Sequence, residues 1–228
     1  MESSSILVLA AVERELQPLE RLLDSTTIPG VRTRLTGVGK VSSAVATERA
    51  LEELRPARVL LVGCAGAFPS ARLEIGDVVV ASEEILADEG VETEDGFLTL
   101  RDLGLPAARR GERVVYNRIP LCAPSSALVA RLQETCADGF RLATGPCATV
   151  STGSATEVRV GELASRWDPL VESMEGAACA LVCWTRGVPF QEVRGVSNPL
   201  GPRDRSTWDV DAACRNAARA AMALLEEP

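Results

Sequence analysis

Two stretches of this chain, residues 6–11 and 58–64, are almost unbroken apolar runs. A strand with one face in water alternates polar with apolar residues. An unbroken run therefore marks a strand buried on both faces, as in a parallel sheet covered by helices. The other segments keep to that plan. Residues 13–23 place Leu16, Leu19, Leu22 and Leu23 at helical spacing, 31–36 read as a strand, and 40–54 as a helix stopped by Pro56. Residues 75–81 form a further strand, 125–136 a helix, 141–149 an extended segment, 156–164 a short helix and 170–174 a short strand. Residues 175–186 read as a helix stopped at Gly187-Val188-Pro189, 190–197 as a strand, and 208–225 as an Ala-rich terminal helix. Residues 87–113 are polar, glycine-punctuated and weakly periodic, which suits an excursion over the sheet or a partner-facing loop.

Strands alternating with helices predict an α/β fold with a mainly parallel sheet flanked by helices. No linker, internal repeat or low-complexity segment divides the sequence, so residues 1–228 are expected to form one domain. Aromatic residues make up only 4% of the chain, so Val, Leu and Ala must fill its core.

The chain has no histidine. That removes Ser-His-Asp and Cys-His catalysis, argues against a catalytic zinc, and leaves acid–base chemistry to Asp and Glu. A net charge of −8 is the wrong sign for nucleic acid or an anionic membrane as partner. It does not exclude a small anionic substrate, which needs only one local Arg. The cysteines (Cys64, Cys122, Cys136, Cys147, Cys179, Cys183 and Cys214) are odd in number and contain no C-x-x-C pair. They are expected to be small buried hydrophobes in a reducing compartment. Residues 1–5 lack the basic and apolar regions of a signal peptide, and no run reaches the roughly 18 apolar residues of a membrane span. A cytoplasmic protein with no metal or cofactor requirement is the expectation.

In open α/β sheets, chemistry gathers at the carboxyl ends of the strands. After the first strand, Ala11-Val12-Glu13-Arg14-Glu15-Leu16 places acids in the first turn of a helix, where the dipole favours them with or without a further role. Thr36-Gly37-Val38-Gly39-Lys40 is a poor phosphate loop. Ser42 replaces the third glycine of G-x-G-x-x-G, and a tight strand-to-helix turn explains both glycines. Gly63-Cys64-Ala65-Gly66 ends an apolar strand with small residues, which admit either a ligand or close helix–sheet packing. Glu175 opens an Ala-rich helix, as a cap or as a ligand-facing acid. Arg194 interrupts an apolar strand. An arginine is almost never fully buried unless paired, so a carboxylate partner is expected, and Glu15 or Glu175 would serve.

Taken together, the segments 11–16, 37–41, 63–66, Gly76-Asp77-Val78, Met174-Glu175 and 194–198 resemble the methylthioadenosine/S-adenosylhomocysteine nucleosidase and purine nucleoside phosphorylase superfamily. Residues 87–98, 171–178 and 197–208 are most similar to its futalosine hydrolase family, whose members act in an alternative route to menaquinone. The resemblance implies a three-layer α/β/α fold with a central mixed, mainly parallel sheet, the nucleoside phosphorylase fold, and a homodimer. It places Glu15 as the carboxylate that orients and deprotonates the attacking water, with Arg194 holding that water and carboxylate. Glu175 would bind the ribose hydroxyls with Met174 packed on the sugar. Asn198, supported by Ser197, would face the purine edge, and Ala65 and Gly66 would lie against the substrate.

The implied reaction is cleavage of futalosine by water to hypoxanthine and dehypoxanthine futalosine. Such a reaction passes through an oxocarbenium-like ribosyl cation that a carboxylate can stabilise. Relatives that act on adenine nucleosides typically carry Asp at position 198. An amide instead donates to O6 of a 6-oxopurine and accepts from a protonated N7, which favours hypoxanthine. The absence of Arg or Lys from residues 63–68 favours hydrolysis over phosphorolysis. The tail carboxylate of such a substrate suits Arg203 or Arg205, a solvated loop being the alternative. Two departures from the pattern stand out: Cys64 occurs where relatives often carry Ser or Thr, and no aromatic residue occurs around Thr156-Glu157. The competing readings are an adenine-releasing nucleosidase acting on aminodeoxyfutalosine or methylthioadenosine, and a non-catalytic purine-nucleoside-binding protein. The broken glycine fingerprint makes a nicotinamide-dependent oxidoreductase a poor fit.

Overall fold

In the computed structural model, described over residues 5–26, 28–122, 124–136 and 139–226, the two apolar runs become adjacent strands. Residues 1–4 of the opening segment and the side chain of Cys136 lie outside the described residues. Strands β1 (Ile6–Ala10), β2 (Val31–Leu35) and β3 (Arg58–Ala67) run parallel with β1 in the middle. Helices α1 (Glu13–Ser25) and α2 (Lys40–Leu54) are the crossovers between them. Positive φ at Gly37 (76°) and Gly39 (89°) makes the turn into α2, which supports the turn reading of those glycines.

Strand β4 (Val78–Leu86) runs longer than its apolar run of 75–81, because it continues through Glu83 and Glu84. The buried Glu84 accepts a hydrogen bond from Thr149, so an acidic residue that resembles a strand end lies within a strand. Residues 87–113 fold into two small hairpins: β5 (Gly90–Thr93) with β6 (Gly96–Thr99), and β7 (Ala108–Arg110) with β8 (Arg113–Val115). Buried Asn117 anchors the excursion by accepting from Leu100 N at 2.8 Å and donating to the carbonyls of Leu86 (2.9 Å) and Glu89 (2.8 Å). Lys40 ties it to the start of α2 through Asp88 (2.7 Å) and Glu89 (3.0 Å).

The remaining elements are β9 (Arg118–Pro120), α3 (Ser126–Cys136), β10 (Leu142–Thr149), α4 (Glu157–Trp167), β11 (Val171–Ser173), α5 (Gly176–Arg186), β12 (Phe190–Pro199) and α6 (Val210–Leu225). The sheet order is β11-β10-β4-β12-β3-β1-β2, with β9 against β4. Strand β12 is parallel to β3 but antiparallel to β4, so the sheet is mixed. The end of β3 also pairs with β11 (Val171 with Ala67, Glu172 with Gly66), which closes β3, β12, β4, β10 and β11 into a ring. Nothing in the apolar patterning foretells this closure, because a three-residue strand has no period to read.

Side chains leave the sheet alternately. Ile6, Val8, Ala10, Leu60 and Val62 pack with Leu16 and Leu19 of α1 and with the alanine face of α6. Leu7, Leu9, Val59 and Leu61 pack on the other side with Ala50 and Leu51 of α2 and Ala177 and Ala180 of α5. The result is the expected three-layer α/β/α arrangement. Of the cysteines, Cys147, Cys179, Cys183 and Cys214 are buried as expected, whereas Cys122 is exposed and Cys64 half-buried. Cys122 lies in the chain between β9 and α3, and Cys64 faces a pocket. Among the described residues, no helix is long and apolar enough to cross a membrane.

The packing of α6 on β12 leaves no room at Gly195. A Cβ there would lie 2.5 Å from the carbonyl carbon of Ala213, a backbone atom that cannot rotate away. Gly195→Ala is therefore expected to destabilise the fold by about 3 kcal/mol, read as a lower urea midpoint with an unchanged slope. An unchanged midpoint would show that α6 can shift at little cost.

Candidate active site

The carboxyl ends of β1, β3, β11 and β12 surround a pocket of about 380 Å3. Glu15, Ala65, Gly66, Met174, Glu175, Ser197, Asn198 and Arg203 all line it. Arg194 lies beneath its floor, with a side chain only 1% exposed.

Arg194 is brought in by β12, and its partners come from both helical layers. Its Nε lies 2.6 Å from Glu192 Oε1. One terminal nitrogen, Nη1, lies 3.5 Å from Glu175 Oε2, 3.9 Å from Glu15 Oε1 and 3.3 Å from the Cys64 carbonyl. Both acids expected from the sequence are thus present. The shortest ion pair, to Glu192, is one that sequence reasoning missed. The signal was there: residues two apart on a strand share a face, so Glu192 had to accompany Arg194 inward. Burial lowers the pKa of Arg194, and the charges of Glu192, Glu175 and Glu15 outweigh that effect, so the guanidinium stays charged.

Glu15 sits in the first turn of α1 and reaches across to β3. Its Oε1 accepts from Cys64 N at 2.9 Å, and its Oε2 from Ala11 N at 3.1 Å and Val12 N at 3.4 Å. It closes the start of α1 and also lines the pocket, buried rather than solvated. Glu175 occupies the cap position of α5 yet makes no side-chain capping bond. It accepts instead from Gly39 N at 3.1 Å and Met174 N at 3.3 Å. Gly63 is required by this cluster, since a Cβ there would lie 2.6 Å from Arg194 Nη1 and 2.7 Å from Glu15 Oε1.

Two residues beyond Cys64 on β3, about 7 Å at strand rise, Gly66 is the register partner of both Asn198 and Glu172. The Asn198 amide donates to Pro199 O at 3.0 Å, and its oxygen lies 2.8 Å from the Ser197 hydroxyl. One N–H and one lone pair of that amide remain for a ligand. Glu172 is a second residue missed by the sequence reading. It lines the pocket, accepting from Ser154 N at 2.8 Å and from the Ser154 hydroxyl at 2.5 Å. Burial raises the pKa of its carboxyl, and the two Ser154 bonds only partly oppose that. A short strand between two turns carried no sequence signal for it.

Cys64 lines the pocket, and its thiol is held well above its ordinary pKa, first by hydrogen bonding with Cys214 and then by burial. At physiological pH this keeps it a neutral thiol rather than a thiolate. Arg203 stands exposed at the mouth, its guanidinium 4.7 Å from the centre of the Trp208 ring. Asp204 bonds Ser206 rather than either neighbouring arginine, and Arg205 does not line the pocket. Among the described residues, no group of three or more His, Cys, Asp or Glu side chains is arranged to hold a metal ion.

Known proteins of the same kind bear on this geometry. The family model described as the phosphorylase superfamily matches residues 5–227. The chain is 38% identical to a futalosine hydrolase of Thermus thermophilus, over 84% of this chain and 80% of that protein. It is 36% identical to a futalosine hydrolase of Streptomyces coelicolor, over 78% of this chain and 71% of that one. Among solved structures, a 5′-methylthioadenosine/S-adenosylhomocysteine nucleosidase from Neisseria meningitidis, in complex with methylthio-immucillin-A, superimposes with a TM-score of 0.81 at 20% identity. That alignment covers 99% of this chain and all of that one, and at such identity it speaks for the fold. The chain belongs to the phosphorylase superfamily.

Proposed function

We propose that this chain is an N-ribosyl hydrolase that releases hypoxanthine from futalosine, with residues 1–228 acting as one domain. One observation carries the choice of base: an amide, Asn198, and a carboxyl, Glu172, flank Gly66 on the same pocket. A 6-oxopurine offers acceptors at O6 and N7 and a donor at N1–H. Asn198 can donate to O6, and Glu172 can accept from N1–H. Adenine presents a lone pair at N1 and a donor at position 6, so a carboxylate at Glu172 would oppose it. Each mismatched edge group costs about 1–3 kcal/mol.

Glu15 is the base in this reading. It takes a proton from a water whose oxygen attacks the ribosyl C1′, while the C1′–N9 bond breaks and its electron pair leaves with the purine. The purine takes up a proton from solvent at N7, where the Asn198 oxygen can accept from it. Positive charge develops on the sugar, beside the Glu15 and Glu175 carboxylates. Glu175 accepts from the ribose hydroxyls, Met174 packs on the sugar, and Arg194 holds Glu15 and Glu175 in register. Ala65 and Gly66 let the nucleoside lie close to the β3 backbone, and Ser197 fixes the Asn198 amide. Arg203 at the mouth pairs with the carboxylate of the substrate tail.

The exposed apolar residues Val41 and Val45 of α2 follow Val38, which is also exposed and lines the pocket. They support a homodimer in which a second copy covers this edge. A cytoplasmic location is part of the same proposal, in keeping with the free thiols of the described cysteines.

Base release from futalosine, aminodeoxyfutalosine, inosine and methylthioadenosine, each with and without phosphate, tests the reading. The expected result is hypoxanthine from futalosine at a rate indifferent to phosphate, with Glu15→Gln lowering kcat by about 10³-fold. Faster adenine release would overturn the base assignment, a phosphate requirement would overturn hydrolysis, and no release from any of them would point to a binding protein. Arg203→Ala is expected to lower the ratio of futalosine to inosine turnover, and an unchanged ratio would remove it from the tail site.

The raised pKa of Glu172 gives a pH dependence with a defined sign. On acidification Glu172 takes up its proton earlier than an ordinary carboxyl and ceases to accept from N1–H. KM for futalosine is therefore expected to rise as pH falls through that range, with kcat changing less. In Glu172→Gln, KM should be flat over the same range, and turnover of aminodeoxyfutalosine relative to futalosine should rise about tenfold, as 1.4 kcal/mol implies. A wild-type acid limb that persists in the variant would place the titrating group elsewhere.

A further inference from the structure

Behind Arg194, away from the pocket, two acids meet with no cation between them. Glu84 of β4 and Glu192 of β12 are both fully buried. Oε1 of Glu84 and Oε2 of Glu192 find no hydrogen-bond donor among the described residues. The two groups converge on the α-carbon of Gly176: a Cβ there would lie 2.5 Å from the Glu84 carboxyl carbon and 2.5 Å from Glu192 Oε2. Their outer oxygens are accounted for. Glu84 Oε2 accepts from the Thr149 hydroxyl at 2.6 Å, and that hydroxyl in turn accepts from Ala177 N at 2.8 Å. Glu192 Oε1 holds Arg194 Nε at 2.6 Å.

Two ionised carboxylates facing each other in a dry interior, each with an unsatisfied oxygen, are not a stable arrangement. A single proton between them satisfies both oxygens with a charge-assisted hydrogen bond. Its owner follows from the neighbours. Arg194 stabilises charge on Glu192, whereas Glu84 has only a hydroxyl. The geometry points to a neutral Glu84 that donates its proton from Oε1 to Glu192 Oε2, and this shared proton positions Arg194 between Glu15 and Glu175. Burial first, and the charge of Glu192 next, push the Glu84 carboxyl well above the usual carboxylate range. The other titratable or charged groups that face the pair are Arg194 on β12, Cys147 on β10, Cys179 and Glu175 at α5, and Glu15 on α1. Burial raises the thiols of Cys147 and Cys179, the latter to about 12, so neither supplies charge at neutral pH.

Glu84 and Glu192 are thus positioning residues. With Nε and the Glu192 carboxylate locked together, Nη1 has one place to point: at Glu15, Glu175 and the Cys64 carbonyl. Without the lock, the guanidinium is free to collapse onto Glu15 or Glu175, and the water base loses its alignment.

Infrared spectroscopy of the folded full chain and steady-state kinetics test this together. The kinetic half rests on the nucleosidase reading above, and the spectroscopic half does not. The wild type at pH 8 is expected to show the carbonyl band of a protonated carboxylic acid, shifted in D2O, and Glu84→Gln to lack it. Glu84→Gln, whose amide N–H replaces the acid O–H, is expected to keep kcat within about threefold. Glu192→Gln is expected to lose about 100-fold in kcat with KM little changed, the scale of a misplaced catalytic group. No acid band in the wild type, or a band that survives in Glu84→Gln, overturns the shared proton. Equal loss in both variants, or a tolerated Glu192→Gln, overturns the assignment of the proton to Glu84. Should either variant not fold, the wild type decides alone: as pH rises, kcat must fall with the acid band, and a band lost while kcat holds overturns the positioning role.

Discussion

A guanidinium with 1% exposure, held by carboxylates from several elements, is the interaction on which this site depends. Removing a cation from water costs several kcal/mol even after relaxation, and stripping one partner from such a pair costs about 3–5 kcal/mol. Arg194 is therefore stable only while the elements that carry its partners stay in place. Glu15 comes from α1 on one face of the sheet, Glu175 from the start of α5 on the other, and Glu192 from its own strand. The cation ties both helical layers to the strand between them. It can do so only because glycine stands at 63 and 176, where any side chain would strike the acids or the guanidinium. Those glycines answer to the charge cluster rather than to backbone conformation, since neither has a positive φ.

The second constraint is the departure of β3 from its parallel partner. At Gly66 the strand faces β12 on one side and β11, antiparallel, on the other. That single residue brings Asn198 and Glu172 to the same place, about 7 Å beyond the Cys64 position where the charge cluster ends. The sheet thus sorts the polar groups along one strand. Carboxylates and guanidinium gather at Cys64, where the proposed reaction needs a sugar cation stabilised, and an amide with a carboxyl at Gly66, where it needs a base edge read. A Cβ at Gly66 would lie 2.6 Å from Leu200 Cδ2 and 3.2 Å from the Asn198 amide, so a larger residue there would have to displace the Leu200 side chain.

Much of this was legible in the sequence, and the reasons for the gaps are physical. The unbroken runs fixed the parallel core, because burial on both faces erases alternation. Arg194 announced itself as a charge inside an apolar strand, and Glu15 and Glu175 stood at strand ends where helices begin. Glu192 was as visible as Arg194, two residues away on the same face of the strand. Glu84 was hidden by Glu83 beside it, since two adjacent acids read as the end of a strand whose second acid is buried. Glu172 lay in a strand of three residues, too short for any period to show which way it points. The hairpins between residues 90 and 115 escaped because their exposure removes the hydrophobic pattern on which strand assignment rests.

The electrostatics of the pocket also bear on why water, rather than phosphate, suits it as nucleophile. A phosphorolytic site must hold a divalent anion beside the sugar. Here the groups nearest that position are Glu15 and Glu175, and the one cation among them is neutralised by three carboxylates. Arg14 reaches the rim but is bound to Asp211 at 2.8 Å, and Arg203 stands at the mouth against Trp208. An anion placed about 4 Å from one carboxylate meets roughly 4 kcal/mol of repulsion per pair of unit charges at an effective dielectric of 20. Two such carboxylates would more than cancel what a rim arginine in water returns. A neutral water meets no such barrier, and the base proposed for it, Glu15, has oxygens already aimed by backbone amides from α1 and β3. The charge arrangement that makes Arg194 tolerable in the interior is therefore also the one that, in the proposed reaction, favours water over an anion.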